Sequence, residues 1–332
     1  MKIAIATPLY PPDLGGPAKY AAGIEEECKR RGIAVQVIAY GPAERALPIG
    51  LRHLWYFFRL LPAAQGADFI FALDTWSVGL PAVLAAKITG KPLLVRIGGD
   101  YLWERYCQSH TPLKLSEFYE KTQLSGFDHF IFSATKFFLD HADRLLFTTR
   151  WQADIWKEAY RIPERKITLL ENYFPSERAF GDAKNHAFVF AGRDIAIKNS
   201  RRVHDAFAHA RARFPDITLD TRVLAPAAHA ERIKNCYAVL IGSVSEVNPN
   251  QAVDAVATGK PFIAPSDSGA YERLHETGTF VDTTDVAALA RAIETLAEPS
   301  GYAKAEARVR AFTFSHSWSA IVDEIIRAAH AS

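Results

Sequence analysis

AVLIGSVSEVNPNQAVDAVATGKPFIAP, residues 238–265, decides how the rest of the chain is read. An apolar strand (238–241) runs into a loop of small residues carrying Glu246. A helix then opens at Asn248-Pro249 and carries Asp254, and a second apolar run follows at 261–264. Asn248 is a good N-cap, and Pro249 suits the first helical position, where its missing N–H would be unpaired anyway. The N–H groups of such a first turn favour negative charge. Carboxylates accept hydrogen bonds from hydroxyls. Two acids with seven residues between them, straddling a helix start at the end of a buried strand, therefore read as a site for a sugar joined to a diphosphate.

The chain has 332 residues, comfortable for two domains. Its 49% hydrophobic and 23% charged residues are those of a globular protein with real cores. The 39 basic and 37 acidic residues leave a net charge of +2, which offers no field for nucleic acid, so no nucleic-acid partner is expected. Cys28, Cys107 and Cys236 are scattered, with no CxxC or Cys/His cluster, so no metal site is expected and a reducing compartment fits. The chain enters a strand at once, with no signal-peptide core, and no apolar run reaches about 18 residues. A cytoplasmic location follows, with the inner face of the membrane as an option.

Strand and helix patterns alternate from the N-terminus. Strands are expected at 3–6, 35–39, 69–73, 93–97, 144–148 and 167–170, and helices at 18–31, 51–64, 78–89, 130–141 and 151–160. Residues 175–186 turn polar and make the best linker. The rhythm restarts with strands at 187–191, 217–224, 237–241, 261–264 and 280–281, and helices at 200–213, 227–235, 249–258 and 286–297. Asp285 caps the helix at 286–297, and a last amphipathic helix lies near 318–329. Strands separated by helices argue a parallel, doubly wound sheet in each half. The expected domains are 1–178, 179–310 and a C-terminal helix, 311–332, packing back on the first.

Gly192-Arg193 follows the first strand of the second half, and Lys198 sits five residues after Arg193. Arg can grip phosphate oxygens with a planar fork, and Lys acts as a point charge. Beside the acid pair, these two read as a phosphate site rather than as solvated turn cations. The stripe Leu54-Trp55-Tyr56-Phe57-Phe58, flanked by Arg52, His53 and Arg59, reads first as core and second as a surface touching a membrane. Glu25-Glu26-Glu27 reads as a solvated helix face. The absence of Gly-x-Ser-x-Gly and of Gly-x-Gly-x-x-Gly after the first strand disfavours a serine hydrolase and a nicotinamide dehydrogenase.

The order Gly192-Arg193-x4-Lys198, then Ser243-x-Ser245-Glu246-x7-Asp254, then Gly259-Lys260-Pro261-Phe262-Ile263, resembles the retaining GT-B glycosyltransferases of family 4. The Pro11-x-x-x-Gly15-Gly16-Pro17 loop, Asn172 after a strand, and Ser268-Gly269-x-x-Glu272 match that family too. Gly99-Asp100-Tyr101-x-Trp103-Glu104 and Pro249-Asn250 resemble a subgroup of it. The resemblance implies an α/β chain of two Rossmann-like domains facing across a cleft. It also implies transfer, with retention, from a UDP- or GDP-linked sugar to a glycan or lipid-linked acceptor, typically in bacterial surface polysaccharide synthesis. The nucleotide sugar is a co-substrate, and no cofactor is expected.

By the same resemblance, Arg193 and Lys198 neutralise the donor diphosphate, Glu246 binds the sugar hydroxyls and Asp254 the ribose. Gly15 and Gly16 admit a close backbone approach, and Asp100 sits near the acceptor hydroxyl. Two departures stand out. The second acid is Asp254 rather than Glu. Val247-Asn248-Pro249 replaces Gly-Phe-Gly, so anion contacts fall to Asn248, Asn250 or Gln251. Residues 213–237 are also one βα unit short. No Asp-x-Asp occurs, so fixed positive potential, rather than metal, is expected to stabilise the leaving diphosphate. Two other readings stay open: a non-catalytic GT-B-like partner in a glycan assembly system, and a sugar-nucleotide epimerase.

Overall fold

The N-terminal sequence KIAIAT forms β1 (Lys2–Thr7), buried from Ile3 onward, because a parallel strand covered by helices on both faces needs apolar residues at every position. Five more parallel strands join it: β2 (Ala34–Ala39), β3 (Phe69–Ala72), β4 (Leu93–Ile97), β5 (Arg144–Phe147) and β6 (Ile167–Leu169), in the order β2-β1-β3-β4-β5-β6. β3 and β4 are buried throughout, whereas edge strand β2 alternates. The computed structural model describes every residue except Leu14, Ala191, Arg193, Asp194 and Ser332, and of Pro226 the backbone alone.

A second parallel sheet holds β7 (Ala187–Val189), β8 (Thr218–Asp220), β9 (Ala238–Leu240), β10 (Phe262–Pro265) and β11 (Thr279–Val281), in the order β11-β10-β9-β7-β8. Among the described residues it has five strands, against six in the first sheet. After β8 the chain passes through helix Pro226–Asn235 directly to β9, where the sequence reads short.

The chain divides into two compact units. Unit 1 is Met1–Leu102, Gln123–Asn172 and His316–Ser332; unit 2 is Trp103–Thr122 and Tyr173–Ser315. Within unit 1 the last helix, Trp318–His330, packs on helix Gly16–Arg30. Trp318 meets Tyr20 edge-on at 5.1 Å, and Arg31 Nη1 donates to Asp323 at 2.5 Å. Buried Asn172 joins this region through its side-chain oxygen, which accepts from Tyr20 Oη at 3.1 Å and Arg96 Nη2 at 2.7 Å, and through its carbonyl, against His316 Nδ1 at 3.1 Å. Within unit 2, Phe188, Phe207, Leu240 and Ile293 lie on one side of the core, and Val239, Val253, Ala264 and Leu274 on the other.

Several expectations need correction. Five α-helices were not anticipated: Pro42–Ala46, Tyr101–Ser109, Leu115–Lys121, Tyr271–Leu274 and Pro299–Ala311. The last buries only Ala305 and Val309, too thin a stripe to read as helix. The strand expected over 217–224 stops at Asp220, whose carboxylate accepts from the Arg222 N–H at 3.1 Å and turns the chain. The Glu25–Glu27 run is not a solvated face. Glu27 is buried and paired with Arg30 and Arg31, Glu25 pairs with Lys29 at 2.6 Å, and Glu26 alone is exposed.

Candidate functional site

In doubly wound sheets, ligands bind outside the carboxyl ends of the strands where the strand order reverses. In unit 2 that point lies between β7 and β9. The turn after β7 ends in Ala196–Lys198, and the loop after β9 carries Ser243, Ser245 and Glu246. The two meet there. Lys198 Nζ donates to Glu246 Oε1 at 2.5 Å and to Ser243 Oγ at 3.2 Å, and the Ser243 hydroxyl donates to the same Oε1 at 2.6 Å. Oε2 of Glu246 takes no partner among the described residues. Arg193 lies outside the described residues.

The backbone beneath is tied at several points. The Val244 N–H donates to the Ile197 carbonyl at 2.8 Å. Asn199, with φ of 58°, donates its amide to the Gly242 carbonyl at 3.1 Å and the Thr283 carbonyl at 2.8 Å. The Thr283 hydroxyl donates to the Ser243 carbonyl at 2.6 Å. Gly242 lies so close to helix Ser200–Arg213 that a Cβ there would stand 2.1 Å from Val203 Cγ2. Glu246 itself bridges Ser268 as an isolated parallel pair, and the Gly269 N–H donates to its carbonyl at 3.1 Å. Asn199 and Thr283 are supports that the residue patterns did not single out. The Asn beside Lys198 was the one available signal, because Asn tolerates a left-handed backbone.

Helix Asn250–Thr258 begins one residue later than expected. Pro249, not Asn248, takes the N-cap position, its ψ of 122° holding it extended, and no side-chain cap bond forms. Asn250 and Gln251 open the first turn, whose N–H groups lack intrahelical acceptors by helix geometry. Asn248, Asn250, Gln251 and Asp254 are all partly exposed. Asp254 acts electrostatically on His229, whose imidazole is pushed below its usual value by burial and by Arg232. Arg232 Nη2 lies 2.7 Å from His229 Nδ1, and Nη1 lies 3.2 Å from Asp220. Asp220 is held at about 2, chiefly by its bond to Arg222.

A cavity of about 570 Å³ borders Asn199, Arg201 and Arg202. Neither Glu246 nor Asp254 lines it. Among the described residues no group of three or more His, Cys, Asp or Glu is placed to hold a metal.

In unit 1, Gly15 has φ of +148° and caps helix Gly16–Arg30 after β1, at the reversal between β1 and β3. A Cβ on Gly15 would stand 2.9 Å from Leu9 Cδ1. Asp100, after β4, is buried, and its Oδ2 accepts from Trp156 Nε1 at 2.8 Å. The Leu54–Phe58 stripe divides: Tyr56 and Phe57 enter the core, while Leu54, Trp55 and Phe58 stay exposed.

Known structures share this fold. HepE from Anabaena, in complex with UDP, is 14% identical, with complete coverage of both chains and a TM-score of 0.69. A sucrose-phosphate synthase from Thermosynechococcus elongatus is 14% identical over 99% of this chain and 98% of its own, with a TM-score of 0.70. The lipopolysaccharide outer core galactosyltransferase WaaB, in its apo form, is 14% identical over 99% of each chain, with a TM-score of 0.61. A sequence search of curated proteins gave no match. The chain shares the GT-B fold of these structures. Residues 42–173 match the Glycosyl transferase 4-like domain, so this part of the chain is similar to that family.

Proposed function

We propose that this chain moves a sugar from a UDP- or GDP-linked donor to a hydroxyl of a glycan or lipid-linked acceptor, with retention and without metal, in bacterial surface polysaccharide synthesis. The observation that carries the reading is the Lys198–Ser243–Glu246 cluster at the strand-order reversal of the second sheet. Lys198 would place its charge on the departing diphosphate, assisted by Arg193 and by the first turn at Asn248, Asn250 and Gln251. Fixed donors aimed at developing charge stabilise the transition state without reorganising. Glu246 would bind sugar hydroxyls through its unoccupied oxygen, and Asp254 the ribose diol. In unit 1, Gly15 and Gly16 would let backbone N–H groups reach the substrate, and Asp100, steadied by Trp156, would serve the acceptor hydroxyl. As a functional division we propose 1–178 and 179–310, with 311–332 belonging to the first part, while Trp103–Thr122 packs within unit 2.

HepE from Anabaena, a protein of the same fold, forms a complex with UDP and glucose. That supports a nucleotide sugar here. Donor hydrolysis and transfer assays with UDP- and GDP-sugars test the proposal. Wild type should consume one donor, and Glu246→Gln should lose about 100-fold or more in kcat. Full turnover by Glu246→Gln would remove Glu246 from the site.

A further inference from the structure

Strand β4 reads LLVRI, and Arg96 breaks its apolar run. The side chain is only 6% exposed. Arginine is almost never buried unless an acid pairs with it, because taking its charge out of water is costly. Here no acid does so. Among the described residues no carboxylate forms an ion pair with the guanidinium, and its polar neighbours are Tyr20 and Asn172, both uncharged. The guanidinium carbon lies 3.5 Å from the centroid of the Tyr20 ring, Nη2 donates to Asn172 Oδ1 at 2.7 Å, and Nε is buried without a partner. These contacts do not offset the desolvation of a full positive charge. A local rule broken in this way is kept where function requires it.

Gly98 shows where the charge is aimed. A Cβ there would stand 2.8 Å from Arg96 Nη1, and Gly98 and Gly99 are both exposed. The missing side chain therefore opens the guanidinium toward the carboxyl end of β4, where ligands of such sheets bind, next to Asp100. The Gly98 and Gly99 N–H groups donate to no described residue, which leaves further donors at the same spot. Arg96, Gly98 and Asp100 belong to unit 1, whereas Lys198 belongs to unit 2. The fork of an arginine matches phosphate oxygens, and phosphate supplies the full negative charge that the buried cation lacks. A neutral glycan supplies none. We propose that Arg96, presented beside Gly98, binds a phosphate group carried by the acceptor. That the anion is the acceptor's rests on the transfer reading; the anion site itself does not.

The test melts the full chain in inorganic phosphate and in chloride at matched ionic strength, without donor or acceptor. Wild type should gain about 2–4 °C from phosphate. Arg96→Met should lose most of that gain, and so should Gly98→Ala, whose methyl group covers Nη1 while Arg96 stays in place. The general stabilisation by phosphate is common to all variants and cancels in the comparison. In chloride Arg96→Met should melt no lower than wild type, because it removes an uncompensated buried charge and leaves Asn172 Oδ1 bonded to Tyr20 Oη at 3.1 Å. Calorimetry with UDP and GDP should give Arg96→Met the affinity of wild type. A phosphate gain unchanged in both variants would overturn the proposal, as would a loss of nucleotide affinity in Arg96→Met equal to that in Lys198→Met. If neither nucleotide binds wild type but the Arg96-dependent gain remains, the transfer reading falls and the anion site stands.

Discussion

Lys198 and Glu246 share one hydrogen-bonded cluster, so the loss of either should be felt differently in binding and in chemistry. Lys198→Met removes a cation aimed at the diphosphate site and should raise the donor KM about tenfold. Glu246→Gln should act mainly on kcat, and steady-state kinetics on both variants separates the two effects. These residues were legible because Ser-x-Ser-Glu and Gly-Arg-x4-Lys put the required chemistry at strand ends. Asn199 and Thr283 were not, because their work is to tie carbonyls 43 and 40 residues away, which spacing does not reveal.

Glu27 is a second test at this scale. Its bonds to Arg30 and Arg31 hold its carboxyl at about 2, against an ordinary 4.5. A carboxylate with a depressed value stabilises the fold above the ordinary value and loses that contribution as pH falls toward the depressed one. The melting temperature should therefore fall between pH 4.5 and about 2. Glu27→Gln should flatten that window and cost about 2 kcal/mol at neutral pH, read by thermal melts across pH.

Among the elements, the docking of helix Trp318–His330 on helix Gly16–Arg30 depends on a missing side chain. A Cβ at Gly23 would stand 2.4 Å from the Trp318 ring. Gly23→Ala should cost about 1–3 kcal/mol through overpacking. Trp318→Ala in the same chain should recover part of that loss, as chemical denaturation of the single and double variants would show. Most strands and long helices were legible from apolar runs and helical spacing, as in β4 and helix Val286–Ala297, with Asp285 as its cap at 2.8 Å from the Ala287 N–H. Helix Tyr101–Ser109 was not. It buries Leu102, Trp103 and Cys107 among polar residues, without a regular apolar stripe.

At the scale of the whole molecule, two parallel sheets with reversed strand order followed from the βα alternation, and the missing strand from the short stretch between β8 and β9. The membership of Trp103–Thr122 in unit 2 did not, because it rests on distant pairings. The Leu115 N–H donates to Ser245 Oγ at 2.9 Å, and Lys114 Nζ to Asp282 at 2.6 Å, across 130 and 168 residues. Ser245 directly precedes Glu246, so this anchor fixes the loop that carries the candidate carboxylate. Ser245→Ala should lower donor affinity a few-fold while leaving the far-ultraviolet circular dichroism unchanged, which nucleotide titrations would measure.

Titration calorimetry with UDP and GDP probes the account most directly. If Lys198 and the turn after β7 cradle a nucleoside diphosphate, wild type should bind one of the two, and Lys198→Met should bind it about tenfold more weakly. No heat with either nucleotide at millimolar concentration, or equal affinity in the variant, would contradict the account.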